Sequence, residues 1–89
     1  MSEYQPIACG LHEQYQYAVI KKRRLDLVWI DEAGERFRVV GLPQDVFTSN
    51  KAEYLRVETD DKRSIDIRLD LIKEAYWVQA GIALQQARN

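Results

Sequence analysis

Residues 53–70, EYLRVETDDKRSIDIRLD, hold the clearest structural pattern in this chain. Apolar and polar residues alternate in residues 53–58 and 64–70, and the mostly charged residues 59–63 separate the two runs. Strict alternation places every second side chain on one face of a strand, and two such runs around a short loop predict a β-hairpin. Its apolar face would consist of Leu55, Val57, Ile65, Ile67 and Leu69. An isolated hairpin is only marginally stable, so other parts of the chain must cover this face.

The residues before this hairpin repeat the pattern. Residues 24–30 and 36–40 alternate around a short glycine-containing loop and predict a second hairpin. Its apolar face would consist of Leu25, Leu27, Trp29, Phe37 and Val39. The mostly polar residues 44–52 predict a connection between the hairpins, and the aromatic-rich residues 72–78 predict a fifth strand.

A different period occupies the start of the chain. Leu11, Tyr15, Ala18 and Val19 recur at helical spacing and predict a short amphipathic helix over residues 11–21. The helix would end in a basic run made of Lys21, Lys22, Arg23 and Arg24. Cations are favourable at the negative end of the helix dipole, but such a run could also contact phosphates, and both interpretations stay open.

These elements predict a mostly β fold with one N-terminal α-helix. We expect a small Sm-like or SH3-like antiparallel barrel over residues 24–78, because closing the sheet buries one face and removes exposed strand edges. Residues 1–80 would form this single domain. The tail, residues 81–89, would be a frayed helix or disordered.

Composition limits the function classes. The formal net charge of −1 lacks the basic excess typical of proteins that bind free nucleic acid. A single cysteine excludes an internal disulfide and is typical of a reducing compartment. The first residues do not resemble a signal peptide, and no apolar run approaches the roughly 20 residues of a membrane span. We therefore expect a cytoplasmic protein without a membrane partner.

The residues that could carry chemistry are few. Cys9 and His12 lie three positions apart, without a second pair that would complete a metal site or an orienting group for a nucleophile. The four glycines are scattered, so they form no phosphate-binding loop. Asp26, Asp66 and Asp70 are explained most simply as the solvent face of strands. We expect no enzymatic activity, no cofactor and no metal.

Three segments together resemble one protein family. Tyr4-Gln-Pro-Ile7 followed by Cys9, Glu53-Tyr-Leu-Arg-Val-Glu58, and Arg68-Leu-Asp-Leu-Ile72 occur here in the order and at the spacing of the Rof-like proteins, which are bacterial Rho-binding antiterminators. The resemblance extends from about Tyr4 to Trp77. It implies an Sm-like barrel with an N-terminal helix. It also implies binding to the transcription termination factor Rho at its primary RNA-binding region, which keeps RNA off and inhibits Rho-dependent termination.

The resemblance further implies which residues contact Rho. They are His12, Glu13, Gln14 and Gln16 on the helix, and Asn50, Lys51 and Glu53 near the start of the third strand. The family tends to have an aromatic residue at the position of His12 and an acidic one at that of Gln16. The helix of this protein is therefore less acidic than the family pattern.

A second function class fits the same expected fold. An Sm-like RNA-binding protein could use the basic run and the nearby tyrosines as its platform, although the balanced total charge disfavours it. We expect a monomer, because the N-terminal and C-terminal extensions are long enough to cover a strand edge that ring assembly would need.

Overall fold

The computed structural model describes residues 3–84. One helix, α1, spans Cys9–Lys21 and precedes six strands. The strands are β1 (Leu25–Ile30), β2 (Arg36–Ser49), β3 (Ala52–Thr59), β4 (Ser64–Arg68), β5 (Ile72–Trp77) and β6 (Ile82–Ala83). A short 3-10 turn, Leu69–Leu71, connects β4 to β5. No helix within the described residues is both long and apolar enough to cross a lipid bilayer.

All six strands belong to one antiparallel sheet with the order β4-β3-β2-β1-β5-β6. The expected mostly β architecture with one N-terminal helix is confirmed, and the sheet is barrel-like. The expected closure is not found, because β4 and β6 form the two edges and do not pair with each other within residues 3–84. Monomeric behaviour in solution stays a prediction.

The connection expected over residues 44–52 is wrong, because β2 continues through most of it to Ser49. The first part of β2 pairs with β1 and the second part with β3, so one strand serves both hairpins. Gly41 marks the exchange, since it pairs with Leu25 on β1 and with Thr59 on β3. A bulge between Pro43 and Asp45 accommodates a proline that cannot donate to the ladder. One face of this half of β2 is solvated, so its residues are mostly polar and resemble a loop in the sequence.

We expect Gly41→Ala to destabilise the protein by roughly 1–3 kcal/mol, as overpacking of a filled site does. A Cβ at this position would lie 2.5 Å from the backbone oxygen of Glu58 and 2.6 Å from Cγ1 of Val57. A backbone oxygen cannot move aside as a flexible side chain could, so β2 and β3 would have to separate. Urea denaturation measures the loss, and an unchanged unfolding midpoint would contradict this tight approach.

The predicted core is largely confirmed. Leu25, Leu27, Leu55, Val57, Ile67 and Leu69 are buried, and Trp29, Val39 and Ile65 are half-buried against them. Phe37 was wrongly placed in the core: it is 38% exposed and stacks on Trp29 with ring centroids 5.4 Å apart. It lies close to the β1–β2 turn, at the end of the hairpin. Tyr15 and Ala18 of α1 complete the core, as the helical spacing predicted.

Both ends of the domain differ from the expected boundaries. Helix α1 begins at Cys9 rather than residue 11, and Ala8 is its N-cap. Alanine makes no side-chain capping hydrogen bond, so the sequence carries no capping signal at this position. The tail was expected to be a frayed helix or disordered, but its start is neither, since β6 pairs with β5 and Leu84 is buried in the core. The remaining tail, residues 85–89, lies outside the described residues.

Candidate partner-binding surface

Helix α1 separates the four helix residues of the expected Rho-binding surface into different environments. Tyr15 and Ala18 face the core, and because a helix turns by about 100° per residue, Glu13 and Gln16 face solvent. His12 and Gln14 lie between these two faces and are half-buried. Glu13 and Gln16 therefore remain accessible to a partner, while His12 is partly committed to contacts within the domain.

His12 lies against Glu53, which joins the helix to the start of β3. The distance from His12 Nε2 to Glu53 Oε2 is 3.4 Å, and the side chains are 23% and 34% exposed. Tyr4 donates its hydroxyl to Glu53 Oε1 at 3.2 Å. Burial raises the pKa of Tyr4, and the adjacent Glu53 carboxylate raises it further. Two residues that the resemblance assigned to separate patches thus share one half-buried cluster.

Asn50 and Lys51 form the turn between β2 and β3. Their φ angles of 51° and 64° are both positive, which is the requirement of a two-residue type I′ hairpin turn. Both residues are exposed and directly precede Ala52, whose burial fixes the base of the turn. Glu53 follows Ala52 and contacts His12, so the turn lies two residues from a contact with the helix.

Arg68 and Asp70 form a cluster that sequence reasoning missed, because alternation had placed both side chains in solvent. Arg68 Nη2 lies 2.6 Å from Asp70 Oδ2 and its Nε lies 3.0 Å from Oδ1, while the two side chains are only 9% and 6% exposed. The backbone N–H of Gln5 donates to Asp70 Oδ2 at 2.9 Å. The Arg68 guanidinium also lies 5.7 Å from the Tyr4 ring centroid. These contacts hold the N-terminal segment beside the His12–Glu53 pair.

The cluster lowers the pKa of the Asp70 carboxyl. Burial by itself raises its pKa, but hydrogen bonds from Arg68 and from the Gln5 backbone outweigh burial and lower the pKa overall. Arg68 also reaches Glu32 in the β1–β2 turn at 3.0 Å. The only sequence signal for this cluster is the Arg-x-Asp spacing at the point where β4 gives way to the 3-10 turn.

Most loop carboxylates that could have added to an acidic surface are engaged within the domain. Asp31 accepts backbone N–H groups in its own turn, Asp60 pairs with Arg24, and Asp61 pairs with Arg63. Glu13 differs, because it is exposed and makes no ion pair within residues 3–84. The helix therefore presents its carboxylate without a neutralising neighbour.

The described residues contain no group of three or more His, Cys, Asp or Glu side chains that could hold a metal ion. The expected surface is made of carboxylate, amide, imidazole and ammonium groups. Such groups can bind a partner through hydrogen bonds and charge complementarity. No protein-family model matches this chain, and a search of curated proteins finds no significant match.

Proposed function

We propose that this protein binds the transcription termination factor Rho at its primary RNA-binding region, competes with RNA there, and inhibits Rho-dependent termination. The observation that carries the proposal is the His12–Glu53 contact at 3.4 Å. It brings the helix against the start of β3, directly after the β2–β3 turn, and the family resemblance implicates both the helix and this turn. The proposed site of action is the bacterial cytoplasm.

The chemistry of the surface supports competition with RNA. A region that captures single-stranded RNA needs cations for the phosphates and aromatic side chains for the bases. A carboxylate on a protein can take the place of a phosphate opposite such cations, and charge-assisted hydrogen bonds are stronger than neutral ones. Glu13 is the helix carboxylate available for this role, while the amides of Gln16 and Asn50 can donate and accept beside it. Inhibition then requires occupation of the RNA site and no catalytic step.

We expect Glu13→Lys to weaken binding to purified Rho at least tenfold at near-physiological salt, because it would place like charges together in the interface. The thermal melting temperature should stay unchanged, since Glu13 is exposed and lies opposite the buried Tyr15–Ala18 face of α1. Binding of labelled protein to Rho, measured by fluorescence anisotropy, checks the first expectation. Thermal melting checks the second.

A matched control is Glu35→Lys. Glu35 is an exposed glutamate in the β1–β2 turn and belongs to neither α1 nor the β2–β3 turn, so this variant should retain binding. Unlabelled wild-type protein should also displace pyrimidine-rich RNA from Rho. Equal losses of Rho binding in Glu13→Lys and Glu35→Lys would show that Glu13 is not part of the interface. Failure of the wild-type protein to bind Rho would reject the proposed function.

A further inference from the structure

The end of α1 and the strand β5 form a cleft that combines aromatic and cationic side chains. Tyr17 is 48% exposed, and its ring meets that of Trp77 edge-to-face at a centroid distance of 5.9 Å. The cleft is lined by Tyr17, Arg23, Arg24, Trp77, Gln79 and Ala80. The pair joins residues from opposite ends of the chain, so the sequence pattern could not show that they form one surface.

The cationic side chains around this cleft make contacts within the domain that do not fully neutralise their charge. Arg23 Nη1 donates to Gln79 Oε1 at 2.6 Å, and this neutral amide fixes the guanidinium while leaving its charge intact. A guanidinium has five N–H donors, so further donors remain for a ligand. Lys21 lies one helical turn after Tyr17, and residues four apart on a helix are neighbours on its surface. Arg24 contributes less, because Asp60 pairs with it at 2.8 Å.

The local charge therefore differs from the total charge. The chain as a whole carries a formal charge of −1, which disfavours binding to nucleic acid. At the end of α1, however, four exposed cations are consecutive and Asp60 is the carboxylate paired with them. A ligand responds to the potential at its site, and segregated charge creates such a potential on a nearly neutral protein.

We propose that this cleft is a binding site for single-stranded nucleic acid. A base stacks on the Tyr17–Trp77 pair, and the adjoining phosphates contact Lys21 and Arg23. Bases are available for stacking only where they are unpaired, which favours a single strand over a duplex. The aromatic pair favours nucleic acid over an acidic peptide, since glutamate side chains have no ring to stack.

The site is distinct from the surface proposed to bind Rho, although both involve α1. Glu13 lies one turn before Tyr17, so the exposed side of the helix is acidic near its start and basic at its end. Replacing Glu13 with Lys removes a charge that repels phosphate. This variant should therefore lose Rho binding but keep or improve nucleic-acid binding, which separates failure of one proposal from failure of the other.

The test uses the full chain alone and a labelled uridine-rich single-stranded RNA of about 12 nucleotides, followed by fluorescence anisotropy. If two or three phosphates are contacted, log K should fall against log salt with a slope of about −1.4 to −2. Tyr17→Ser should weaken binding about tenfold, the typical loss when one stacked base is released. Arg23→Gln should weaken binding and reduce the salt slope, while Tyr17→Phe should bind as wild type.

Lys73→Gln is the matched control, because Lys73 is an exposed lysine on β5 that does not line the cleft. It should bind RNA within about twofold of wild type, since charge alone at a distance contributes little. The proposal would be overturned by no binding at about 50 mM salt, or by equal losses in Lys73→Gln and Tyr17→Ser. Equal affinity for a duplex of the same length, or equal competition by poly-glutamate, would also overturn it. Thermal melting of each variant establishes that the fold is retained.

Discussion

Arg68→Ala should destabilise the fold by about 3 kcal/mol, the lower end of the range for removing one partner of a buried ion pair. The change would leave the Asp70 carboxylate, 6% exposed, with hydrogen bonds from the backbone N–H groups of Gln5 and of Asp70 itself. These hydrogen bonds still stabilise the charge and place the loss at the lower end of the range. The free energy of unfolding from urea titration at neutral pH measures it.

The effect of Arg68→Ala should shrink as the pH falls. In the wild type the pKa of Asp70 is lowered in the folded state, so its contribution to stability is present above the unfolded pKa of about 3.9 and is lost as the pH falls through the folded pKa. In the variant, burial would act without the Arg68 hydrogen bonds and raise the folded pKa. A carboxyl with a raised folded pKa destabilises the fold as the pH rises through the unfolded value. The difference in the free energy of unfolding between the wild type and Arg68→Ala should therefore be smaller near pH 3 than near pH 7.

Arg56→Ala is the matched control for this prediction. Arg56 makes a similar paired contact with Asp66 on neighbouring strands, at 2.9 Å and 3.3 Å, but the side chains are 44% and 40% exposed. Exposed ion pairs contribute little because water already solvates both charges. We expect a much smaller loss than for Arg68→Ala. Equal losses would mean that burial of Arg68 and Asp70 does not govern their contribution.

Ile67→Ala should cost roughly 2–5 kcal/mol, as the removal of buried methylene groups from a packed core does. Ile67 is 2% exposed and pairs across the sheet with Leu55, which is fully buried. The loss combines the transfer free energy of the deleted atoms with the cost of the cavity that remains between β3 and β4. Urea denaturation measures it, with the slope of the transition expected to stay constant.

The same deletion at an exposed isoleucine provides the comparison. Ile20 on α1 is 73% exposed, so Ile20→Ala should change stability by no more than about 0.5 kcal/mol. Both variants lose the same atoms, and only the environment differs. A loss below half a kcal/mol for Ile67→Ala would show that this side chain does not face the core and that the sheet register is wrong.

The candidate surface was predictable in part. The resemblance named Glu13, Gln16, Asn50 and Lys51, and all four are exposed in the structure. It also named His12 and Glu53 but not their contact, because they belong to elements that are distant in sequence. The partner itself stays a proposal.

The elements with local patterns could be predicted from the sequence alone. Alternation in residues 64–68 placed Ile67 in the core, and helical spacing placed Tyr15 and Ala18 against the sheet. These predictions succeed because the period of a strand or a helix directly decides which side chains share a face. Burial of that face then follows from the hydrophobic effect.

Features that depend on contacts between distant segments could not be predicted in this way. Alternation could not show that β2 passes from β1 to β3 at Gly41, because a strand with one solvated face has the polar composition of a loop. It also placed Arg68 and Asp70 in solvent, yet the Gln5 backbone and the Tyr4 ring cover them. The Tyr17–Trp77 pair depends in the same way on how α1 lies beside β5. The period of a segment fixes where its side chains point, and the segments packed against it decide whether they meet water.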